Sequence, residues 1–283
     1  MSASREQEQE QEQEQRLIFA MGGGGFTMEP ANPLLDDYVL TLAQAKEPRV
    51  LFLPTASGDT TTQINAFYAR FGGRACVPAH VSLFRLGDLE RPLTEIVPEQ
   101  DVVYVGGGSM RNLLAIWSAH ELDELLIQAW RKGTVLAGIS AGAMCWFEGG
   151  VTSSSGTPEP MAGLGLLEGS LTVHADGEPE RLPVWLRSVR EGALPGGWAA
   201  DDGVGLLFRG QRLARVVSSR PGAGAQRVDA IAGELVRHRL EPELLGSDEP
   251  AIQPLLDDDV RELRQVQRLR REMTGKAQRF EDA

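Results

Sequence analysis

Short apolar runs alternate with longer amphipathic segments along the first half of the chain. The runs are Leu17–Met21, Val50–Leu53, Val81–Leu86, Val102–Val105 and Val135–Ile139. Each is too short for a stable helix and rich enough in apolar residues to be a strand buried on both faces. Between them, apolar residues recur three and four apart over Leu34–Ala45, Thr61–Phe71, Met110–Ala119 and Leu122–Lys132, which predicts helices. A further short helix is expected over Ala143–Phe147. Strands and helices in this order predict an α/β fold: a mostly parallel sheet flanked by helices on both faces. Ligands in such folds bind beyond the carboxyl ends of the strands. Those ends carry Gly22–Gly25, Thr55–Asp59, Gly106–Ser109 and Ser140, so four loops are expected to meet on one rim.

The pattern changes toward both termini. Residues 5–16 repeat Glu and Gln and cannot bury a face, so residues 1–16 read as a disordered tail. From Trp198 onward, Gly203–Phe208, Arg212–Val217 and Arg227–Ile231 predict short antiparallel strands that extend the main domain, taken as residues 17–240. Residues 241–283 form a C-terminal extension. Val260, Leu263, Val266 and Leu269 within Asp257–Phe280 have helical spacing, which predicts an amphipathic terminal helix docked on its own domain.

Composition narrows the partners. Of the 283 residues 42% are hydrophobic, enough for a sizeable core, and the formal net charge is −12 with no basic stripe. Nucleic acid and anionic membranes are therefore not expected partners. Cys76 and Cys145 have neither metal-ligand nor redox spacing, and no metal or cofactor is expected. No apolar run is long enough to span a bilayer and no signal region opens the chain, so a cytoplasmic protein is the expectation.

The chemistry concentrates in Gly138-Ile139-Ser140-Ala141-Gly142, which follows an apolar strand and precedes a helix-favouring stretch. Glycines on both sides let the chain make a sharp turn that lifts a serine hydroxyl off the sheet, the pattern of a nucleophile elbow. The bland alternative is a serine that merely caps a helix. A serine nucleophile needs a base. Among His80, His120, His174 and His238, His174 is the candidate, because it ends the apolar segment Leu171-Thr172-Val173 downstream of the serine. His80 is placed at the start of a strand, on the wrong rim. An oxyanion needs two N–H donors. Ala141, directly after the serine, is the first, and a glycine of Gly106-Gly107-Gly108 is the second. Neither glycine run has a phosphate-loop lysine or dinucleotide spacing.

These motifs resemble the peptidase E branch of the serine peptidases that also includes cyanophycinase. The carriers are Ala20–Phe26 (A-M-G-G-G-G-F), Phe52–Asp59 (F-L-P-T-A-S-G-D), Tyr104–Ser109 (Y-V-G-G-G-S), Ala137–Gly150 and His174–Arg181 (H-A-D-G-E-P-E-R). The resemblance covers about residues 17–235 and implies a class I glutamine amidotransferase-like, flavodoxin-like fold. It implies Ser140 as nucleophile, His174 as general base, and Ala141 with Gly108 as oxyanion donors. Gly107, Ser109 and Arg181 are the implied substrate contacts, and a homodimer is the implied assembly. Three positions depart from the family pattern. Ser109 stands where relatives carry Asn, and Ala175 replaces an aromatic. Val151–Ser155 lacks the acid that relatives place a little over a dozen residues after the serine. Ser153 could hold the imidazole by its hydroxyl, and Glu148, Glu159 and Asp176 are carboxylate substitutes. Relatives remove an N-terminal aspartate and hold its carboxylate with a cation, here Arg181, although Glu180 beside it opposes an acidic substrate. The expected function is a serine peptidase that hydrolyses small peptides, dipeptidase-like, through an acyl-enzyme. The alternative is a degenerate relative that binds a peptide or metabolite without turnover. A glutamine amidotransferase-like partner protein is disfavoured, because such proteins carry cysteine at the elbow.

Overall fold

A computed structural model describes residues 16–247, and the Glu/Gln repeat and the expected terminal helix lie outside the described residues. The strands are β1 (Leu17–Met21), β2 (Arg49–Leu53), β3 (Val77–His80), β4 (Val102–Val105), β5 (Val135–Ile139), β6 (Phe147–Thr152) and β7 (Glu159–Ala162). The later ones are β8 (Leu167–Thr172), β9 (Gly197–Ala200), β10 (Val204–Arg209), β11 (Arg212–Ser218), β12 (Ala225–Ile231), β13 (Glu234–Leu240) and β14 (Glu243–Leu244). The helices are α1 (Gly25–Met28), α2 (Leu34–Leu42), α3 (Thr61–Phe71), α4 (Leu93–Ile96), α5 (Met110–Ala119), α6 (Leu122–Arg131), α7 (Ala141–Met144) and α8 (Arg181–Arg190).

The strands form two sheets rather than one extended sheet. The first has the order β14-β11-β10-β1-β5-β4-β2-β3. Its β1, β5, β4, β2 and β3 run parallel, whereas β10 joins β1 antiparallel and β11 joins β10 antiparallel. The second has the order β13-β12-β9-β8-β6-β7, with β6, β8 and β9 parallel and the remaining pairs antiparallel. The architecture is therefore α/β with mixed sheets. Parallel pairing runs through β3, β2, β4, β5 and β1 and joins β11 to β14 in the first sheet, and links β6, β8 and β9 in the second.

Side-chain alternation separates the layers. Phe19, Met21, Val50, Phe52, Val102, Tyr104 and Ile139 point to one face of the first sheet and pack against Phe26, Leu35, Val39, Phe67 and Phe71 of α1, α2 and α3. The residues between them, Ile18, Ala20, Leu51, Leu53, Val103, Val105 and Leu136, point to the other face. There they meet Leu113 and Trp117 of α5, Leu122 and Leu126 of α6, and Trp146, Phe147 and Trp198 at the approach to the second sheet. The far face of that second sheet buries Val151, Ala199 and Val228 beneath Trp185 and Val189 of α8. Every residue of β1, β4 and β5 is buried, as strands covered on both faces require.

Two local expectations are corrected. The third strand is Val77–His80, not Val81–Leu86, and Leu83–Asp88 is 3₁₀ helix with a non-helical break at Arg85. His80 therefore ends its strand. The helix after Ser140 is a single turn, Ala141–Met144, and Phe147 already belongs to β6. Gly149 and Gly150 disfavour helix there, and β6 inserts beside β8 instead.

Candidate active site

Ser140 stands at the junction of β5 and α7 with φ 55 and ψ −115. A non-glycine residue at positive φ costs about 1–2 kcal/mol and needs surrounding structure to hold it. The Ser140 N–H donates to the Met21 carbonyl at 3.0 Å, and the Ser140 carbonyl accepts from the N–H groups of Ala143 and Met144. Close packing does the rest. A Cβ at Gly138 would lie 1.9 Å from the Gly142 oxygen, and one at Gly142 would lie 2.4 Å from the Val105 oxygen. The two glycines of the motif thus permit the turn to sit directly on the sheet.

His174 follows β8 and is buried, also at positive φ (53). Its carbonyl accepts from the N–H groups of Gly177 and Glu178, and the next N–H, of Ala175, donates to the Ala200 carbonyl. The imidazole Nε2 lies 2.9 Å from Ser140 Oγ. Its Nδ1 lies 2.5 Å from Asp202 Oδ1. Asp202 is itself buried, in the turn between β9 and β10. The Asp202 N–H donates to Asp176 Oδ1 at 2.8 Å, and Gly203 N–H donates to the Gly23 carbonyl at 3.1 Å. Gly23 makes room for this contact, since a Cβ there would fall 1.8 Å from Asp202 Oδ1 and 2.8 Å from His174 Nδ1.

The group on Nδ1 is therefore Asp202 and none of the four expected from sequence. The Ser153 hydroxyl accepts from Arg181 Nη2 at 3.3 Å and makes no bond to His174. Glu148 Oε2 accepts from the Gly169 N–H at 2.6 Å, and Glu159 Oε1 accepts from Arg111 Nη2 at 2.7 Å. Asp176 acts on the Asp202 backbone. A carboxylate in the turn after the apolar stretch Trp198-Ala199-Ala200 was the available signal, but nothing local in Asp201-Asp202-Gly203 sets it apart from an ordinary turn.

The other expected site residues fall around this centre. Gly107 lies against the serine: a Cβ there would be 3.3 Å from Ser140 Cβ and 3.8 Å from Oγ. The N–H groups of Gly108 and Ala141 find no acceptor among the described residues. The Ser109 hydroxyl accepts from the Asn112 N–H at 3.2 Å and so caps α5. Arg181 opens α8, buried, with Glu178 Oε2 3.0 Å from its Nε and 2.8 Å from its Nη2. His80 lies at a carboxyl strand end after all, but its Nδ1 is 2.8 Å from the Tyr68 hydroxyl and burial lowers its pKa.

Beneath the Gly22–Gly25 loop lies a second polar group. Asp36 is fully buried, accepts from the Tyr104 hydroxyl at 3.1 Å and lies 3.0 Å from Arg70 Nε. Arg70 Nη2 also donates to the carbonyls of Glu29, Pro30 and Asn32. Burial pushes the Asp36 pKa up to about 7, against the opposing pull of Arg70. Among the described residues no group of three or more His, Cys, Asp or Glu is placed to hold a metal ion, and no helix is long and apolar enough to cross a membrane.

A hydroxyl bonded to an imidazole that is bonded in turn to a buried carboxylate is the geometry used for acyl transfer in hydrolases of several unrelated folds. The comparisons with known proteins agree with a hydrolase. Residues 18–216 match the model of peptidase family S51, and the chain belongs to that family: it is a peptidase. It is 48% identical over 229 residues to the uncharacterized peptidase YgaJ of Bacillus subtilis (strain 168), an alignment covering 81% of this chain and 99% of the relative. Among solved structures, a peptidase from an acI-B1 Actinobacterium superposes with a TM-score of 0.61 at 18% identity, covering 80% of this chain and 94% of that one. A Listeria monocytogenes EGD-e protein provisionally named peptidase E superposes with a TM-score of 0.50 at 16% identity, covering 80% and 99%. At these identities the two structures speak for the fold alone.

Proposed function

We propose that the chain is a serine peptidase that hydrolyses small peptides through an acyl-enzyme, with Ser140, His174 and Asp202 as its catalytic triad. The observation that carries this reading is the continuous chain from Ser140 Oγ through His174 to Asp202, at 2.9 and 2.5 Å. Ser140 Oγ attacks the scissile carbonyl carbon as its proton passes to His174 Nε2. Asp202 accepts the Nδ1–H, which fixes the tautomer, and its charge stabilises the imidazolium. The carbonyl oxygen, now anionic, receives the N–H groups of Ala141 and Gly108. Collapse of the tetrahedral intermediate breaks the C–N bond. The proton on Nε2 goes to the departing amine, leaving an ester on Ser140. A water that loses its proton to Nε2 then hydrolyses the ester and restores the hydroxyl.

Gly107, packed against Ser140, is a proposed substrate contact. Ser109 is left out of the substrate contacts, because its hydroxyl caps a helix. Arg181 is the nearest proposed cation for a substrate carboxylate. With Glu178 paired to it the charge is neutralised, so the proposal includes no preference for an acidic residue. The rival reading, a binder without turnover, drew its support from the acid missing at Ser153–Ser155 and from Ser109 in place of the family's Asn. A carboxylate at Nδ1 takes the first support away.

Cleavage of a dipeptide library by the wild type beside Ser140→Ala tests the reading. The expected result is cleavage that is lost in the variant. Equal cleavage by the two would overturn the serine mechanism, and ligand-induced thermal stabilisation without turnover would favour the binder.

A further inference from the structure

We propose that Gln63 is a positioning residue: its side-chain amide holds the Gly107–Gly108 peptide in the orientation that turns the Gly108 N–H toward the oxyanion. This rests on the serine reading above and adds to it a residue remote from the triad in sequence. The loop that carries Gly108 is fixed at its two ends. The Gly106 N–H donates to the Leu53 carbonyl at 3.0 Å, and the Ser109 N–H donates to the Ala56 carbonyl at 2.7 Å. Between them the peptide joining Gly107 to Gly108 has a glycine on each side. Half a turn of that peptide plane changes ψ of one glycine and φ of the other, and glycine accepts either value at little cost. Gly108 already sits at φ 142. The orientation is therefore not set by the conformational preferences of the loop.

It is set by Gln63. In the first turn of α3, the Gln63 Nε2 donates to the Gly107 carbonyl at 3.2 Å. The peptides of the described residues are trans. In a trans unit the C=O and the following N–H point in opposite directions. Anchoring the Gly107 oxygen on Gln63 thus sends the Gly108 N–H away from Gln63, and among the described residues no acceptor meets that N–H; Gly107 itself packs against Ser140. The reversed peptide would aim a carbonyl lone pair where the oxyanion forms. The other end of the amide is enclosed. Its Oε1 is buried without a hydrogen-bond partner and faces Gly106, where a Cβ would come within 2.8 Å of it. With Oε1 facing away, only the NH₂ end of the amide addresses Gly107.

The test uses a fluorophosphonate, which reacts with an activated serine whatever the natural substrate: Ser140 Oγ bonds to phosphorus as its proton passes to His174, fluoride leaves, and negative charge builds on the phosphoryl oxygen in the same hole during the attack. Gln63→Met keeps length without a donor, and Gln63→Glu keeps shape while opposing the Gly107 carbonyl with a carboxylate. Losing an oxyanion donor outright costs about 10²–10³ in rate. Loosening one leaves part of the population competent, so labelling of Ser140 in both variants is expected to slow about 10–100-fold. In the uncharged Gln63→Met, the midpoint of the pH–rate profile and the thermal midpoint should stay at their wild-type values. Labelling at the wild-type rate in both variants would refute the positioning role. So would slowing in Gln63→Met accompanied by a moved pH midpoint or a lowered thermal midpoint, since that would mark a general disturbance of the site. Failure to label the wild type, or equal labelling of Ser140→Ala, would instead overturn the serine reading and the inference with it.

Discussion

Replacing Asp202 by Asn changes one oxygen for an NH₂ group at a buried position and leaves shape and volume almost intact. Asp202 Oδ1 lies 2.5 Å from His174 Nδ1. That contact puts the two charge centres about 4 Å apart once the imidazole is protonated, an attraction of about 4 kcal/mol at an effective dielectric of about 20. Each 1.4 kcal/mol, roughly, is a decade in rate, so the lost charge alone removes about three decades. The amide adds a second penalty, because its NH₂ end favours the tautomer with the proton on Nε2, where the Ser140 hydroxyl needs an acceptor. Together they should lower kcat/KM by about 10³–10⁴. The assay is steady-state hydrolysis of the best dipeptide from the library, with circular dichroism and a thermal melt to show that the fold is kept. Retention of more than about a tenth of wild-type kcat/KM in a folded Asp202→Asn would refute the role given to Asp202.

Three further outcomes follow from the same geometry. Ser153→Asp should bring no gain in rate, because Nδ1 already has its carboxylate and Ser153 bonds Arg181 instead; a rise would mean that the orienting acid is in fact missing. Gly23→Ala should lower fluorophosphonate labelling of Ser140 by at least about 10², since the new methyl falls on Asp202 Oδ1 and the His174 ring must give way; unaltered labelling would show that the loop moves aside. Asp36 has a folded pKa of about 7 against 3.8 when unperturbed, so the folded state binds its proton more tightly. The stability this gives is complete below about pH 4 and is lost as the pH rises through 7. The thermal midpoint of Asp36→Asn relative to wild type should therefore climb from pH 5 to pH 8, and a difference that is flat over that range would contradict the raised pKa.

The sequence made the parallel half of the first sheet legible because β1, β2, β4 and β5 are uninterrupted apolar runs ending in glycine or a turn, which is what burial on both faces demands. Ser140 and His174 were legible for the related reason that each follows such a run. In the second sheet only β12 was, as the expected strand Arg227–Ile231. Its strands β6 and β8 contain Gly149, Gly150, Gly169 and Ser170, and their burial comes from Trp185 and from the first sheet, not from their own apolarity. Asp202 was hidden by the same circumstance. It turns the chain from β9 in one sheet to β10 in the other, so its place beside His174 depends on a crossing between layers that no local pattern records. The single-turn helix after Ser140 was overestimated because Ala143–Phe147 has good helical propensity, which pairing of β6 with β8 overrides.

That the site is shared between two layers has a consequence for the ribosome-bound chain. The proposed nucleophile is synthesised by residue 140, the proposed base by 174 and the proposed acid by 202, and the turn that holds the acid leads into β10, which pairs with β1 in the register Leu17 to Arg209 through Met21 to Gly205. On that assignment, a chain cut before residue 202 lacks the carboxylate beside His174, and one cut before residue 205 also lacks the β10 partner of Met21.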